Sequence, residues 1–319
     1  MVLPGKAVAA YRIAPKRPYS LALTASRFTR FPEIVDRFDG RVYRRLLPVG
    51  RRGVLVSVEQ IGSPARAVLE VTLQGPDAGS PAAQEAARRL VEVALGAATD
   101  VGAFYRAHRS DPVLASPIHD FRGLRIAGWP SVWEALLTAV LSQQVNLKFA
   151  YDIRRELALS FGRRARFDGE VYTAFPLPEA LSGETPRTLR RFRLSGAKAG
   201  AIHGLARAFA SGALSEPALA GLSDEEAIAR LTEIKGVGRW TAEIALLRGL
   251  GRTDIFPAGD LGVVKYLAQG LLGRRAKAAE GQMRRFAGRW EPHRGFALVY
   301  AYAELARRQK AHRISSGRE

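Results

Sequence analysis

Hydrophobic and polar positions alternate early in the chain and follow a helical period later. Val54, Val56 and Val58 alternate with Leu55, Ser57 and Glu59, and Leu69, Val71 and Leu73 alternate with Glu70 and Thr72. A period of two is the signature of half-buried strands, so Tyr19 to about Leu73 reads as strands with one helix among them. Residues 1–18, with three prolines and several basic side chains, read as irregular. Gln74–Pro81 is rich in Gly, Pro, Asp and Ser and reads as a loop; alanine-rich Ala82–Leu95 reads as a helix. From about Asp111 the pattern becomes nearly all helical. Trp133, Leu136, Leu137, Val140 and Leu141 fall on one helical face. Further helices are predicted at Ala197–Ser211, Asp224–Ile234, Trp240–Leu250, Asp260–Leu272, Gly281–Arg289 and Arg294–Gln309, with a disordered tail at Ser315–Glu319. The expected division is an α+β domain with an antiparallel sheet at 1–110 and a helical region at 111–319 made of two subdomains.

The most informative interruption lies at 224–250. Ser223 and Glu226 have the spacing of a capping box. Ile228, Leu231 and Ile234 keep helical spacing, Gly236-Val-Gly238 breaks it, and Trp240, Ile244 and Leu247 resume it. This is helix, tight turn, helix. Glycines let a backbone turn sharply and approach a partner without a Cβ in the way. The amides that open the second helix have no intrahelical partner and suit a phosphate. Lys235 and Arg239 flank the turn, and Val237 is expected to plug the core. On spacing alone, an ordinary pair of helices with a glycine cap is an equal reading.

Charge shifts that balance. Across 319 residues, Lys and Arg number 49 against 30 acidic residues, a net +19 spread along the chain. Such an excess attracts polyanions, although a composition bias accounts for charge as well. The 47% hydrophobic and 25% charged fractions are ordinary, and no apolar run reaches the length of a membrane span. The N-terminus lacks the apolar stretch of a signal peptide. Without cysteine the chain has no disulfide, cysteine nucleophile, zinc–thiolate site or cysteine-ligated iron–sulfur cluster. The five histidines, at 108, 119, 203, 293 and 312, show no metal-ligand spacing and read as surface or structural.

Asp260 follows Ile255-Phe-Pro-Ala-Gly at the start of an expected helix, where an aspartate most often serves as a cap. Trp240, one helical turn before Ile244, reads on spacing as core, and Gln143 and Gln144 read as polar residues ending a helix.

Residues 231–242 resemble the helix-hairpin-helix of the DNA glycosylase superfamily. Phe121–Arg125, Trp133–Asn146, Phe175–Leu181, Leu194–Ala199 and Arg285–Arg294 resemble, in order and spacing, the 3-methyladenine DNA glycosylase II (AlkA-type) family. The similarity runs from about residue 18 to 305. It implies a mainly α fold with a small N-terminal α+β domain. It further implies a base excision repair enzyme that flips alkylated purines such as 3-methyladenine out of double-stranded damaged DNA and hydrolyses the N-glycosidic bond. Asp260 matches the essential aspartate of the superfamily. The chemistry fits, because cleavage leaves a sugar with oxocarbenium character that a fixed anion stabilises.

The resemblance carries over further residues. Trp240 and Tyr302 match positions lining the base pocket, where aromatic faces attract a cationic base. Ile244 stands where a relative has another aromatic. Gln143 and Gln144 match the segment that fills the gap left by the flipped base, with Gln144 at the wedge position. Lys235, Gly236, Val237, Gly238, Arg239 and Thr241 match the DNA-binding hairpin, the amides of Gly236, Gly238 and Thr241 facing a phosphate. The carbonyls of Thr232, Ile234 and Gly236 match those holding a monovalent cation, Na+ or K+; no other cofactor is implied. Bifunctional members carry a lysine where this chain has Trp240, so hydrolysis without strand cleavage is expected. The remaining expectations are a cytoplasmic monomer acting at the chromosome. The alternatives are a non-enzymatic helix-hairpin-helix DNA-binding protein and an oxidised-base glycosylase.

Overall fold

The computed structural model describes residues 7–31, 33–270, 273 and 277–315. Five antiparallel strands form the N-terminal sheet: β1 (Ala7–Ile13), β2 (Asp36–Phe38), β3 (Val42–Leu47), β4 (Val54–Ile61) and β5 (Val68–Gln74). Their order is β1-β5-β4-β3-β2. β4 and β5 are the alternating runs read from the sequence, and Val58 pairs with Val71 in their shared register. Their inward side chains, Val54, Val56, Val58, Leu69, Val71 and Leu73, are wholly buried.

β1 corrects the reading of residues 1–18 as irregular. The prolines at 15 and 18 lie beyond the strand, and Ala10 and Arg12 pair with Thr72 and Glu70 at the sheet edge. A short edge strand with weak alternation leaves little trace in a sequence. The expected helix at Ala82–Leu95 runs as Pro81–Arg89 and then widens into a π-helical turn at Leu90–Ala94.

The apolar cluster under the sheet draws on residues up to Ala97, together with Ala127. From Val101 onward most buried apolar side chains join a second, larger cluster among helices, while Phe167, Tyr172 and Ala174 pack with Leu46 and Leu55 of the sheet in a small third one. Helices Val132–Ser142 and Leu147–Phe161, joined by the turn at Gln143–Asn146, form the centre of the larger cluster with Gly196–Ala210, Arg239–Gly249 and Arg294–Ser315. The last reaches further than Gln309, so Ser315 is helical; residues 316–319 of the expected tail, and Leu271 and Leu272 of the expected helix 260–272, lie outside the described residues.

The helical region is not purely helical. A hairpin of β6 (Arg164–Phe167) and β7 (Glu170–Thr173) interrupts it. Its turn is Asp168-Gly169, with φ of +48° and +84°, the left-handed pair that a two-residue hairpin needs. That dipeptide was the available signal.

A buried ionic knot joins sheet to helices. Arg45 of β3 binds Asp36 of β2 at 2.6 Å and reaches Glu134 on helix Val132–Ser142. Arg154 binds Glu134 at 2.7 Å, Glu33 at 3.1 Å and Asp36 at 3.3 Å. Burial pushes the Asp36 carboxyl up, and Arg45 and Arg154 more than reverse it, leaving it below the usual range. The knot fixes the helix whose C-terminal end carries Gln143 and Gln144.

Candidate active site

The hairpin forms as its sequence implies. Asp224–Thr232 is its first helix, opened by a full capping box between Ser223 and Glu226, and Arg239–Gly249 is its second. Gly236 turns the chain with φ +90°, and a Cβ there would sit 2.7 Å from the Cβ of Ala201. Geometry and space both demand glycine. Val237 is buried at 4% exposure and plugs the core. The second helix starts at Gly238 with no side-chain cap, so its first amides keep their hydrogen-bonding capacity for something outside the protein.

The flanking charges differ from each other. Arg239 is held by Glu225 at 2.5 Å and Glu243 at 3.1 Å. Lys235 is exposed, with no acidic partner among the described residues. Lys235 therefore offers the hairpin's free charge, and Arg239 is largely compensated.

The turn after helix Val132–Ser142 meets the hairpin. Gln143 donates through Nε2 to the Gly236 carbonyl at 3.0 Å and to Thr241 Oγ1 at 2.9 Å. Gln144, next in the chain, is exposed and adopts φ +53°. Asn146 then caps the following helix by accepting from the Phe149 amide at 2.8 Å.

Asp260 lies beside the first turn of the hairpin's second helix. Trp240 Nε1 donates to its Oδ2 at 2.9 Å. Tyr302 donates its hydroxyl to Oδ1 at 2.9 Å, and the Gly262 amide donates to the same oxygen at 2.8 Å. The carboxylate thus caps the π-helical segment Gly262–Leu267 and joins two aromatic side chains in one act. Asp260, Trp240 and Tyr302 are each half-buried. Burial, and then the negative charge of Asp260, push the Tyr302 hydroxyl well above its usual range. It stays protonated and stays a donor.

Packing behind the carboxylate explains its place. Ile255 and Phe256 are buried, and the Phe256 ring lies 6.1 Å from Trp290. Arg294 binds Asp254 at 2.6 Å, and the Gly295 amide donates to the Thr253 carbonyl at 2.8 Å. The loop is thereby anchored to the first turn of helix Arg294–Ser315, and Tyr302, two turns further on, faces Asp260.

Sequence reasoning missed the next wall. Trp240, Ile244 and Arg248 recur every four residues and are the half-buried positions between 240 and 248, where every other side chain is buried. One face of the hairpin helix is therefore partly open, the face that carries Trp240 and its bond to Asp260. Arg248 and Arg27 both donate to the Ala127 carbonyl, at 2.5 Å and 3.1 Å, and the Arg27 guanidinium lies 4.3 Å from the Trp129 ring centre. The i+8 position of Arg248 was visible in the sequence; Arg27, from the N-terminal region, had no such signal. For the carbonyls matched to a cation, Ile234 accepts from the Val237 amide at 2.9 Å and Gly236 from Gln143.

Residues 137–292 match the family model described as "HhH-GPD superfamily base excision DNA repair protein". The DNA-3-methyladenine glycosylase of Bacillus subtilis is 32% identical over 206 residues, which span 65% of this chain and 68% of that protein. DNA-3-methyladenine glycosylase 2 of Escherichia coli is 30% identical over 273 residues, 84% of this chain and 87% of that protein. Among solved structures, the 3-methyladenine DNA glycosylase from Archaeoglobus fulgidus superposes with a TM-score of 0.77 at 26% identity, covering 91% of this chain and 96% of that one.

Proposed function

Because the chain belongs to the DNA-3-methyladenine glycosylases of the HhH-GPD superfamily, we propose that Asp260 is the residue with which it removes alkylated bases from DNA. The protein is an N-glycosyl hydrolase of base excision repair, and its partner is DNA. The observation that carries the residue assignment is the carboxylate of Asp260, gripped by Trp240, Tyr302 and the Gly262 amide beside the first turn of the hairpin helix.

The chemistry follows from that placement. As the bond from C1′ to the base nitrogen breaks, its electron pair leaves with the base and C1′ becomes cationic. An ionised Asp260 stabilises that charge where it develops, and its three donors keep it oriented through the reaction. Water adds at C1′, a proton is lost, and an abasic site remains. An alkylated purine is already cationic and needs little help to depart. Trp240 stands where a Schiff-base lysine would be required and offers no amine, so the strand stays intact.

The uncapped amides at Gly238–Thr241 and the charge of Lys235 support a phosphate contact, and the exposed Gln144 supports insertion into a duplex. We assign the substrate as double-stranded and the protein as a monomer working at the chromosome. Among the described residues no helix is long and apolar enough to cross a membrane. We propose the Thr232, Ile234 and Gly236 carbonyls as holders of a monovalent cation, which at Ile234 would have to share an oxygen that already accepts from the Val237 amide. At Gly236 it would have to share an oxygen that already accepts from Gln143. Its bound charge would steady the hairpin against phosphate, and it takes no part in bond breaking.

The test uses duplexes that each hold one defined lesion, with alkali revealing abasic sites. Asp260→Asn lowers release from alkylated purines by about a hundredfold or more while duplex binding persists. Unchanged release by Asp260→Asn removes the proposed catalyst. Release from oxidised purines alone, or an adduct trapped by borohydride, places the chain in another branch.

A further inference from the structure

Arg248 lies on the same helix face as Trp240, the partner of Asp260, and meets Arg27; neither guanidinium has a carboxylate partner among the described residues. Arg248 extends the Trp240–Ile244 stripe at the end away from Asp260. Arg27 comes from the 3-10 turn Ser26–Thr29 of the N-terminal region. They converge on one carbonyl, that of Ala127, which uses one donor of each and leaves most of their N–H groups uncommitted. Trp129, buried at 3% exposure, forms the floor under Arg27. Burial, followed by the charge of Arg27, lowers the proton affinity of Arg248; the hydroxyls of Tyr151 and Tyr302 and the carboxylate of Asp260 offset part of that. The same charge of Arg248 is felt at the Tyr302 hydroxyl. Arg248 therefore feels both Arg27 and the proposed catalyst.

Half-buried like charges without counter-ions are costly. Their donors suit a ligand with acceptor atoms. A base with its sugar at Asp260 would direct its far edge along the partly open Trp240–Ile244–Arg248 face. A purine with a carbonyl at C6 presents O6 and N7 as acceptors, the pair that a guanidinium reads in a bidentate fashion. A purine with an amine at C6 presents a donor beside N7 and opposes one of those contacts.

Resting on the glycosylase reading above, we propose that Arg27 and Arg248 are specificity-determining residues that favour extruded 6-oxopurines over 6-aminopurines. The preferred substrates are then guanine-derived lesions with an unsubstituted N7, and deaminated adenine.

Methylated duplex DNA supplies a matched pair, 3-methylguanine and 3-methyladenine, whose release is measured together by chromatography of the free bases. Arg27→Met lowers the ratio of 3-methylguanine to 3-methyladenine release about tenfold. Arg27→Lys keeps the charge and removes the planar fork, and lowers the ratio at least threefold; it decides the matter if Arg27→Met fails to fold. Excision of hypoxanthine from a defined duplex falls in step with 3-methylguanine. An unchanged ratio, or a parallel fall for both bases, overturns the proposal. Failure of the unmodified protein to release any alkylated base would instead refute the glycosylase reading itself, so the two failures are told apart.

Discussion

The side-chain amide of Gln143 lies 3.0 Å from the carbonyl of Gly236, tying the turn that presents Gln144 to the helix-turn-helix hairpin. The same nitrogen reaches Thr241 Oγ1 at 2.9 Å. The turn proposed to insert and the hairpin proposed to bind phosphate are thus bonded to each other as one unit, although 93 residues separate the bonded pair.

That unit predicts a separation of effects. Gln143→Ala loosens the turn against the hairpin, and single-turnover base release falls about tenfold, equivalent to the one or two hydrogen bonds removed. Gln144→Ala leaves the melting temperature within a degree or so, because its side chain is exposed, but weakens binding to duplexes that need a base extruded. Melting curves and single-turnover assays on both variants check this. Equal loss of stability in both would break the distinction.

Trp240 and Tyr302 hold opposite oxygens of one carboxylate. Trp240→Phe and Tyr302→Phe each keep an aromatic ring and delete a donor. Each slows release by about tenfold, the scale of a hydrogen bond to a charged group. Because both act on Asp260, the double variant loses less than the product of the two single losses. Full multiplicativity in a double-mutant cycle would show that the two donors act on separate things.

Arg154 is wholly buried among Glu33, Asp36 and Glu134 and lies 4.5 Å from the Phe175 ring centre. Arg154→Met leaves those carboxylates short of a partner and costs about 3–5 kcal/mol in denaturant unfolding. A cost under about 1 kcal/mol would mean that the knot behaves like a surface ion pair.

His108 and His293 meet edge to face, with ring centres 5.5 Å apart. Burial holds both below the usual imidazole range; at His108 the neighbouring His293 and Arg289 add to the effect and Asp111 opposes it, and at His293 Asp254 opposes it. A depressed folded value means that the unfolded chain takes up protons first. Their contribution to stability is full above the unfolded imidazole pKa of about 6.5 and is lost as the pH falls below it. Melting temperature therefore drops between pH 7 and pH 5, and His108→Phe flattens the drop. An identical slope in the variant would assign the loss to other groups.

The legible parts of this protein were those where function or local geometry forces a residue type. Gly236-Val-Gly238 announced the hairpin because its turn needs a left-handed residue with no Cβ, and Asp260 was found because it follows that hairpin at a recognisable distance. β4 and β5 were legible because one face of each is buried. β1 was not, since its pairing depends on β5, whose nearest strand residue is 55 positions away. The meeting of Arg27 with Arg248, or of His108 with His293, could not be read either. Those contacts join distant stretches, and neither partner carries a local pattern that calls for the other. The compensation of Arg239 by Glu225 was equally silent, being made across the turn.

That last pairing bears on how the protein searches a genome. A cation already satisfied by its own carboxylates displaces few ions from a nucleic acid, so in the proposed DNA contact the hairpin would attach chiefly through neutral main-chain N–H groups and Lys235. Attachment of this kind is only weakly sensitive to ionic strength. It suits an enzyme that must let go of sound sequence quickly and linger only where a base can be drawn out.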